Sequence, residues 1–147
     1  MSDYLLDDKV GPVLFQLPPD FAADAGRLGG FLALLPEHRR HSFEFRHPRW
    51  YAPKILRMLA DRNISLCISD HLDAPVPWER TADFVYLRGH GPSGRYAARY
   101  SRATLAAWRT SIQLWQQSNC DVYVYFDNDQ KSAAPMDALA LLRSLAR

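Results

Sequence analysis

Polar and charged side chains end five short apolar runs in this chain, and they are the residues whose types could do chemistry. They are Gln16, Arg46, Asp70, Arg88 and Asp127. Glu44 lies two residues before Arg46 in the same run. Guanidinium groups bind phosphate and carboxylate oxygens through paired N–H donors, and a carboxylate held beside them can transfer protons. These residue types predict a site for a small anionic ligand.

Two histidines extend this set, because His47 and His90 each follow one of the runs closely. We assign the catalytic acid–base roles to Glu44 and Asp70. Glycines after Arg88 would let the backbone approach an anion. The ligand-binding residues that we predict are Gln16, Arg46, His47, Arg88, His90 and Asp127.

A metal-dependent hydrolase or isomerase is the alternative enzyme class, since carboxylates and imidazoles are ligands of divalent metals. The chain has no His-x-His or His-Glu-x-x-His motif, however. We therefore assign no metal ligand and leave the cofactor unknown. A third interpretation involves no reaction: the charged side chains form a structural ion-pair network, and the protein is an assembly partner or an inactive product.

The apolar runs are short, and segments with a helical pattern separate most of them, which predicts a parallel sheet with helical crossovers. The predicted strands are residues 12–17, 42–46, 64–69, 83–88 and 121–126. The helical patterns cover residues 21–35, 53–61, 101–117 and 136–146. In such α/β folds ligands bind at the carboxyl ends of the strands, which is where the charged residues collect.

Successive side chains of a strand point to opposite faces of its sheet. In the second run Glu44 and Arg46 share one face, opposite two phenylalanines, and in the third run Asp70 shares a face with Leu66 and Ile68. We expect the faces that end in polar residues to converge inside a barrel, near its C-terminal mouth. A buried carboxylate without a partner costs several kcal/mol, so Glu44 is expected to lie beside an arginine.

Composition limits the other functions that the chain could have. A length of 147 residues is typical of a single domain, and a net charge of +2 without a basic tract makes nucleic acid an unlikely partner. The two cysteines, Cys67 and Cys120, are expected to be buried thiols of a reducing compartment. The acidic start of the sequence does not resemble a signal peptide, and no apolar run is long enough to span a membrane. We therefore expect a cytoplasmic location.

Four longer words of sequence resemble one protein family, and they occur in its order and with similar spacing. They are Phe15–Pro19, Phe43–Trp50, Phe84–Arg88 and Val122–Asp129. The chain is identified on these words as a member of the YecE-like family, also known as domain of unknown function 72. The resemblance implies a TIM-barrel-like fold, and it assigns no catalytic role, because the activity of the family is not established.

The resemblance also implies that the barrel is incomplete. Family members are typically longer, and the segment that corresponds to Gly11–Pro19 lies near their middle. Residues 1–147 are therefore expected to be one domain that is the C-terminal part of a barrel. The absent N-terminal strands would leave inner apolar side chains, such as Phe84, Tyr86 and Tyr125, open to water. We therefore expect self-association or a partner that supplies the missing strands.

The sequence departs from the family's usual pattern in the last part of the chain. Gly89 stands where the family usually has Phe, and Asp127 stands where it usually has Asn. Lys131–Ser132 and Asp137–Ala138 also replace the small-residue turn and the Asn-Ala pair of the family. Two of these positions, 89 and 127, lie at or beside the predicted site.

Overall fold

The strands and helices alternate along most of the chain in a computed structural model, which describes residues 9–72 and 76–146. The strands are β1 (Val13–Gln16), β2 (His41–Glu44), β3 (Ser65–Ser69), β4 (Phe84–Gly89) and β5 (Asp121–Phe126). The α-helices are α1 (Ala25–Leu32), α2 (Pro53–Ala60), α3 (Arg102–Gln117) and α4 (Ala133–Leu145), and short 3₁₀ helices lie at Pro48–Tyr51 and Gln130–Ser132. All five predicted strands are confirmed, although β2 begins and ends earlier than the sequence predicts.

The sheet is parallel throughout, and its strands lie in the order in which they occur in the sequence. Gln16 of β1 pairs with Glu44 of β2, and Arg88 of β4 pairs with Ser69 of β3 and Tyr125 of β5. The sheet curls into a half-barrel with helices between most of its strands. The predicted fold class, an incomplete TIM-barrel-like α/β structure, is confirmed. This register brings the carboxyl ends of all five strands to one edge.

The main core lies between one face of the sheet and the helices. Its strand residues include Phe43, Phe45, Leu66, Ile68, Val85 and Leu87, and its helix residues include Leu28, Ile55, Leu59, Leu105, Trp108 and Ile112. Helix α3 begins at Ser101, whose side chain accepts a hydrogen bond from the backbone N–H of Thr104 at 3.0 Å. That cap supports the helix face that carries Trp108, which is 5% exposed.

We expected the face of β3 that leads to Asp70 to point inside the barrel, and this orientation is wrong. Leu66 and Ile68 belong to the core against the helices, whereas Cys67 packs on the inner face with Phe84 and Tyr86. The reason is that Asp70 lies beyond the end of β3: the strand itself carries Ser65, Cys67 and Ser69 on one face and the apolar pair Leu66 and Ile68 on the other, and the apolar face packs against the helices. Asp70, which follows β3, therefore does not share a face with the carboxylate of Glu44.

The inner face is less exposed than we expected. Phe84 is 0% exposed and Tyr86 is 8% exposed, so the prediction that they are open to water is wrong. The guanidinium of Arg40 lies over the Phe84 ring at 5.1 Å, and the Tyr125 ring stacks on Tyr86 at 4.9 Å between centroids. Tyr125 itself is 46% exposed, as predicted. The inner aromatic residues of β4 are therefore buried, whereas Tyr125 on the edge strand β5 remains exposed.

Gly89 ends β4 where three aromatic side chains approach the backbone. A Cβ atom there would lie 2.8 Å from the Tyr100 hydroxyl oxygen and 2.9 Å from both Phe126 and Trp108. Carbon atoms do not approach this closely without displacing their neighbours. The large residues around Gly89 thus fill the space that a side chain would occupy.

Candidate functional site

Glu44 lies at the centre of the charged residues at the carboxyl edge of the sheet, and its side chain is completely buried. Its Oε1 accepts a hydrogen bond from Arg46 Nε at 3.0 Å, and its Oε2 accepts one from Arg88 Nη1 at 2.5 Å. Glu44 is the last residue of β2 and Arg88 lies on β4, so the inner faces of two strands supply the pair. The expectation that Glu44 lies beside an arginine is confirmed.

The two arginines also converge on the side chain of Gln16 at the end of β1. The Gln16 Oε1 atom accepts hydrogen bonds from Arg46 Nη2 at 2.9 Å and from Arg88 Nη1 at 3.0 Å. Arg46 Nη2 also donates to the hydroxyl oxygen of Tyr96 at 2.8 Å. Because Gln16 and Tyr96 are exposed, this side of the cluster faces solvent.

Asp127 follows β5 and closes the cluster from the other end of the sheet. Its Oδ2 accepts a hydrogen bond from Arg88 Nη2 at 2.6 Å. Burial raises the pKa of the Asp127 carboxyl above its ordinary value, and the neighbouring His90 and Arg88 oppose this only in part. Burial alone would lower the pKa of Arg88, but the carboxylates of Glu44 and Asp127 outweigh it and raise that pKa. Arg88 therefore remains a cation that links two carboxylates.

His90 is fully buried behind these ion pairs. Its Nε2 lies 3.7 Å from Glu44 Oε1 and 3.5 Å from Asp127 Oδ2, and it makes no hydrogen bond. Its Nδ1 lies 3.4 Å from Asp70 Oδ1 and 3.5 Å from Ser69 Oγ. The imidazole therefore stands between carboxylates that come from three different strand ends.

Asp70 fixes the backbone around His90. Its Oδ1 accepts a hydrogen bond from the backbone N–H of His90 at 2.7 Å, and its Oδ2 accepts one from the hydroxyl of Tyr100. The Tyr100 hydroxyl oxygen in turn accepts a hydrogen bond from the N–H of Gly91 at 2.7 Å. Burial and the Asp70 carboxylate raise the pKa of Tyr100 well above its ordinary value, so it stays a neutral donor. Asp70 is thus linked to Glu44 through His90.

The segment between His90 and Tyr100 is a tight loop in which several residues have positive φ angles. Gly91 and Gly94 have φ values of 95° and 65°, and Tyr96 and Ala98 have values of 60° and 66°. A left-handed backbone is unfavourable for residues other than glycine by roughly 1–2 kcal/mol each. Asn128 Nδ2 holds the loop by donating to the carbonyl oxygen of Ala98 at 2.7 Å. The loop places the Tyr96 ring against His90, with 4.9 Å between ring centroids.

The structure thus brings together seven of the eight residues that the sequence proposes for the site, with Asp70 behind His90. His47 is the exception. Its Nδ1 accepts a hydrogen bond from the backbone N–H of Arg49, so the side chain caps the start of a 3₁₀ helix. Sequence reasoning missed Tyr96 and Tyr100 as members of this cluster. Their position after a glycine-rich loop was visible, but nothing in the pattern showed that the loop folds back over β4.

The sequence's metal alternative gains no support from the geometry. In residues 9–72 and 76–146, no group of three or more His, Cys, Asp or Glu side chains is placed to hold a metal ion. Nor does any helix of that part of the chain have the length and apolar content to span a bilayer. A cavity of about 740 Å³ does exist, but it lies at the amino ends of the strands, away from the candidate site, beside Arg40, Arg62 and Asp83.

Comparison with known families decides where this architecture belongs. The family model described as "Protein of unknown function DUF72" matches residues 2–147. The chain belongs to the DUF72 family. The match covers nearly the whole chain, and it does not bear out the expectation that the chain carries only the C-terminal portion of the family's domain. A search of curated proteins found no match.

Two solved DUF72 family structures share the fold. One, from Thermotoga maritima, has a TM-score of 0.84 and 23% identity, and the match covers 95% of this chain and 59% of that one. The other, from Enterococcus faecalis, has a TM-score of 0.78 and 21% identity, with 91% of this chain and 58% of that one covered. The chain therefore spans about three fifths of the length of these relatives. At this identity the likeness shows the DUF72 fold alone.

Proposed function

We propose that this DUF72 protein binds the anionic group of a small ligand, a phosphate or a carboxylate, at the carboxyl edge of its sheet. Arg46 and Arg88 supply the guanidinium donors. Planar guanidinium groups are suited to oxyanions because their N–H donors match the spacing of two oxygens. The proposal concerns binding, and it assigns no reaction to the site.

The observation that carries the proposal is the convergence of two arginines on one exposed oxygen. Gln16 Oε1 receives hydrogen bonds of 2.9 and 3.0 Å from Arg46 and Arg88, which is the arrangement that an oxygen of a bound anion would need. An anion would displace this amide oxygen from the solvent side without disturbing the buried bonds to Glu44. Gln16 therefore marks the position of the ligand.

The carboxylates of the cluster hold the donors in place. Glu44 and Asp127 each bind a guanidinium from the buried side, so Arg46 and Arg88 are 13% and 17% exposed and have a fixed direction. Donors fixed before the ligand arrives do not lose further freedom on binding, which favours affinity. The acid–base roles of Glu44 and Asp70 stay predictions.

Replacing Arg46 or Arg88 by lysine tests the proposal directly. Lysine keeps the positive charge but lacks the fork of donors, so we expect Arg46→Lys and Arg88→Lys each to weaken phosphate binding by about tenfold or more, the loss of one charged hydrogen bond. Isothermal titration with inorganic phosphate and with acetate would measure this and separate the two classes of anion. Arg57→Lys, on the exposed surface of α2, is the matched control and is expected to bind like the wild type.

The variant Gln16→Ala adds a test of the ligand's position. If an anion takes the place of Gln16 Oε1, removing the amide frees the donors, and binding is expected to tighten or remain unchanged. Binding that is unchanged in both lysine variants, or that disappears in Gln16→Ala, contradicts the proposed site.

Association with another polypeptide is a second candidate function, because the described sheet ends at two edge strands. β1 and β5 lie at its two edges, and apolar side chains beside β5 are exposed: Tyr125 by 46%, Leu139 by 48% and Leu142 by 68%. A partner or second copy that adds strands at these edges would cover such residues. We expect light scattering on the purified protein to give a mass above that of one chain. A monodisperse monomer that melts cooperatively contradicts this candidate.

A further inference from the structure

His90 is a buried titratable group to which the proposed anion site gives no role. Its Nε2 makes no hydrogen bond although it lies within 3.7 Å of Glu44 Oε1 and 3.5 Å of Asp127 Oδ2. A second buried atom of the same cluster, Asp127 Oδ1, also has no hydrogen-bond partner. Buried polar atoms are nearly always hydrogen-bonded. Packing alone therefore does not explain why this imidazole stands here.

The other side of the imidazole is held in place. Asp70 Oδ1 lies 3.4 Å from Nδ1 and accepts the backbone N–H of His90, and Ser69 Oγ lies 3.5 Å from Nδ1. A carboxylate at one ring nitrogen fixes the orientation of the ring and leaves the other nitrogen to gain or lose a proton. Nε2 is therefore the atom at which a proton can be exchanged.

The net charge around His90 favours proton uptake at Nε2 when an anion binds. The titratable and charged groups around the ring come from every neighbouring strand end and from the covering loop: Glu44, Arg46, Asp70, His71, Arg88, Tyr96 and Asp127. With the imidazoles neutral, three carboxylates face two guanidinium groups, which leaves one negative charge in excess. An anion bound to the arginines would add to that excess, and a proton on His90 Nε2 would offset it.

Tyr96 separates the imidazole from solvent. Its ring lies edge-on to that of His90 at 82° and 4.9 Å, and it is itself 39% exposed. Its hydroxyl oxygen accepts a hydrogen bond from Arg46 Nη2, the atom that also binds Gln16. An oxyanion with one oxygen in the place of Gln16 Oε1 and a second oxygen on the other N–H of Arg46 Nη2 competes with this bond. The positive φ of 60° at Tyr96 adds strain to the covering position.

We infer that His90 is the proton-exchanging residue of the anion site, and that the Tyr96 ring covers it until an anion takes the place of the Tyr96 hydroxyl on Arg46. The inference rests on the proposed function and deepens it. When the anion binds, the protonated fraction of His90 Nε2 rises by uptake of a proton from solvent, and the imidazolium then faces the carboxylates of Glu44 and Asp127. Release of the anion returns the proton to solvent.

Sulfate is the probe for the proton, because it does not titrate near neutral pH. Isothermal titration of the wild type with sulfate in buffers of different ionisation enthalpy is expected to show uptake of a fraction of a proton per sulfate bound. His90→Gln keeps a polar atom near the position of Nε2 but cannot titrate, so its proton uptake is expected to fall to zero while sulfate still binds.

Histidine acylation by diethyl pyrocarbonate, read by peptide mass spectrometry, tests the cover independently and without an anion. In the wild type we expect the exposed His38 to react and the buried His41 and His90 to be protected. In Tyr96→Ala we expect His90 to react at a rate at least tenfold higher than in the wild type, with His38 and His41 unchanged. This arm needs no His90 substitution and holds even where His90→Gln does not fold.

The outcomes separate the two proposals. Absence of sulfate binding overturns the proposed anion site and, with it, the coupled proton. Sulfate binding without proton uptake, or with the same uptake in His90→Gln, leaves the anion site in place and overturns the role of His90. A His90 that stays protected in Tyr96→Ala overturns the covering role of Tyr96.

Discussion

Replacing Glu44 by alanine is expected to lower the free energy of unfolding by about 3–5 kcal/mol. The carboxylate is completely buried and binds both Arg46 and Arg88, which are themselves mostly buried. Without it the two guanidinium groups repel each other next to the unpaired Nε2 of His90, and only Asp127 remains to balance Arg88. Urea denaturation followed by tryptophan fluorescence would measure the loss.

Two control variants, Glu37→Ala and Glu44→Gln, separate the effect of the buried charge from that of removing a carboxylate in general. Glu37→Ala removes an exposed carboxylate and is expected to change the free energy of unfolding by no more than about 0.5 kcal/mol. Glu44→Gln keeps the shape and two hydrogen-bonding atoms while removing the charge, so its loss is expected to lie between those of the other two variants. Equal stabilities for Glu44→Ala and Glu37→Ala would show that the cluster contributes nothing to the fold.

Replacing Trp108 by alanine is expected to cost a similar amount, about 3–5 kcal/mol, for a different reason. Trp108 is 5% exposed, and its ring packs against Tyr100 at 5.0 Å and Phe126 at 5.5 Å between centroids. Its removal leaves a cavity between α3 and the end of β5, behind Gly89. Because Tyr100 also binds Asp70, we expect the loss of packing to reach the back of the candidate site.

Trp78 provides the matched control for this substitution. It is 48% exposed and lies 6.2 Å from Trp108 and 5.9 Å from Trp115 between ring centroids. Trp78→Ala is expected to lower the free energy of unfolding by less than half as much as Trp108→Ala, because much of its surface is already in water. An unchanged melting temperature in Trp108→Ala would contradict its assignment to the core.

Most of the fold could be predicted from the sequence because local pattern and global architecture agree. Each strand is a short apolar run with a polar end, and Pro53 begins α2 where a proline suits the first turn. Alternation along β2 placed Glu44 opposite Phe43, since only one face of that strand carries charge. In β3 the serines share a face with Cys67, but the prediction oriented the strand by Asp70, which lies beyond its end, and therefore placed Asp70 on the wrong face.

The chemistry of the site was harder to predict than its location. The sequence shows that Arg46 and Arg88 end strands, but it does not show that both guanidiniums reach Gln16, because that depends on the register of three strands. The loop that places Tyr96 against His90 contains four residues with positive φ angles, and no periodic pattern encodes such a path. Side chains placed by strands were therefore found, and those placed by the loop were not.

The direction of the two edge strands has a consequence for symmetry. β1 and β5 run parallel to each other at opposite edges of the described sheet. If β5 of one copy pairs in parallel with β1 of the next, the two surfaces in contact differ, and every copy keeps one of each to offer. Such head-to-tail contacts produce a closed ring when the rotation between copies divides a full circle, and an unbounded filament when it does not. The curl of the sheet sets the rotation between copies that pair in this way, and it would therefore determine whether they form a closed ring or a filament.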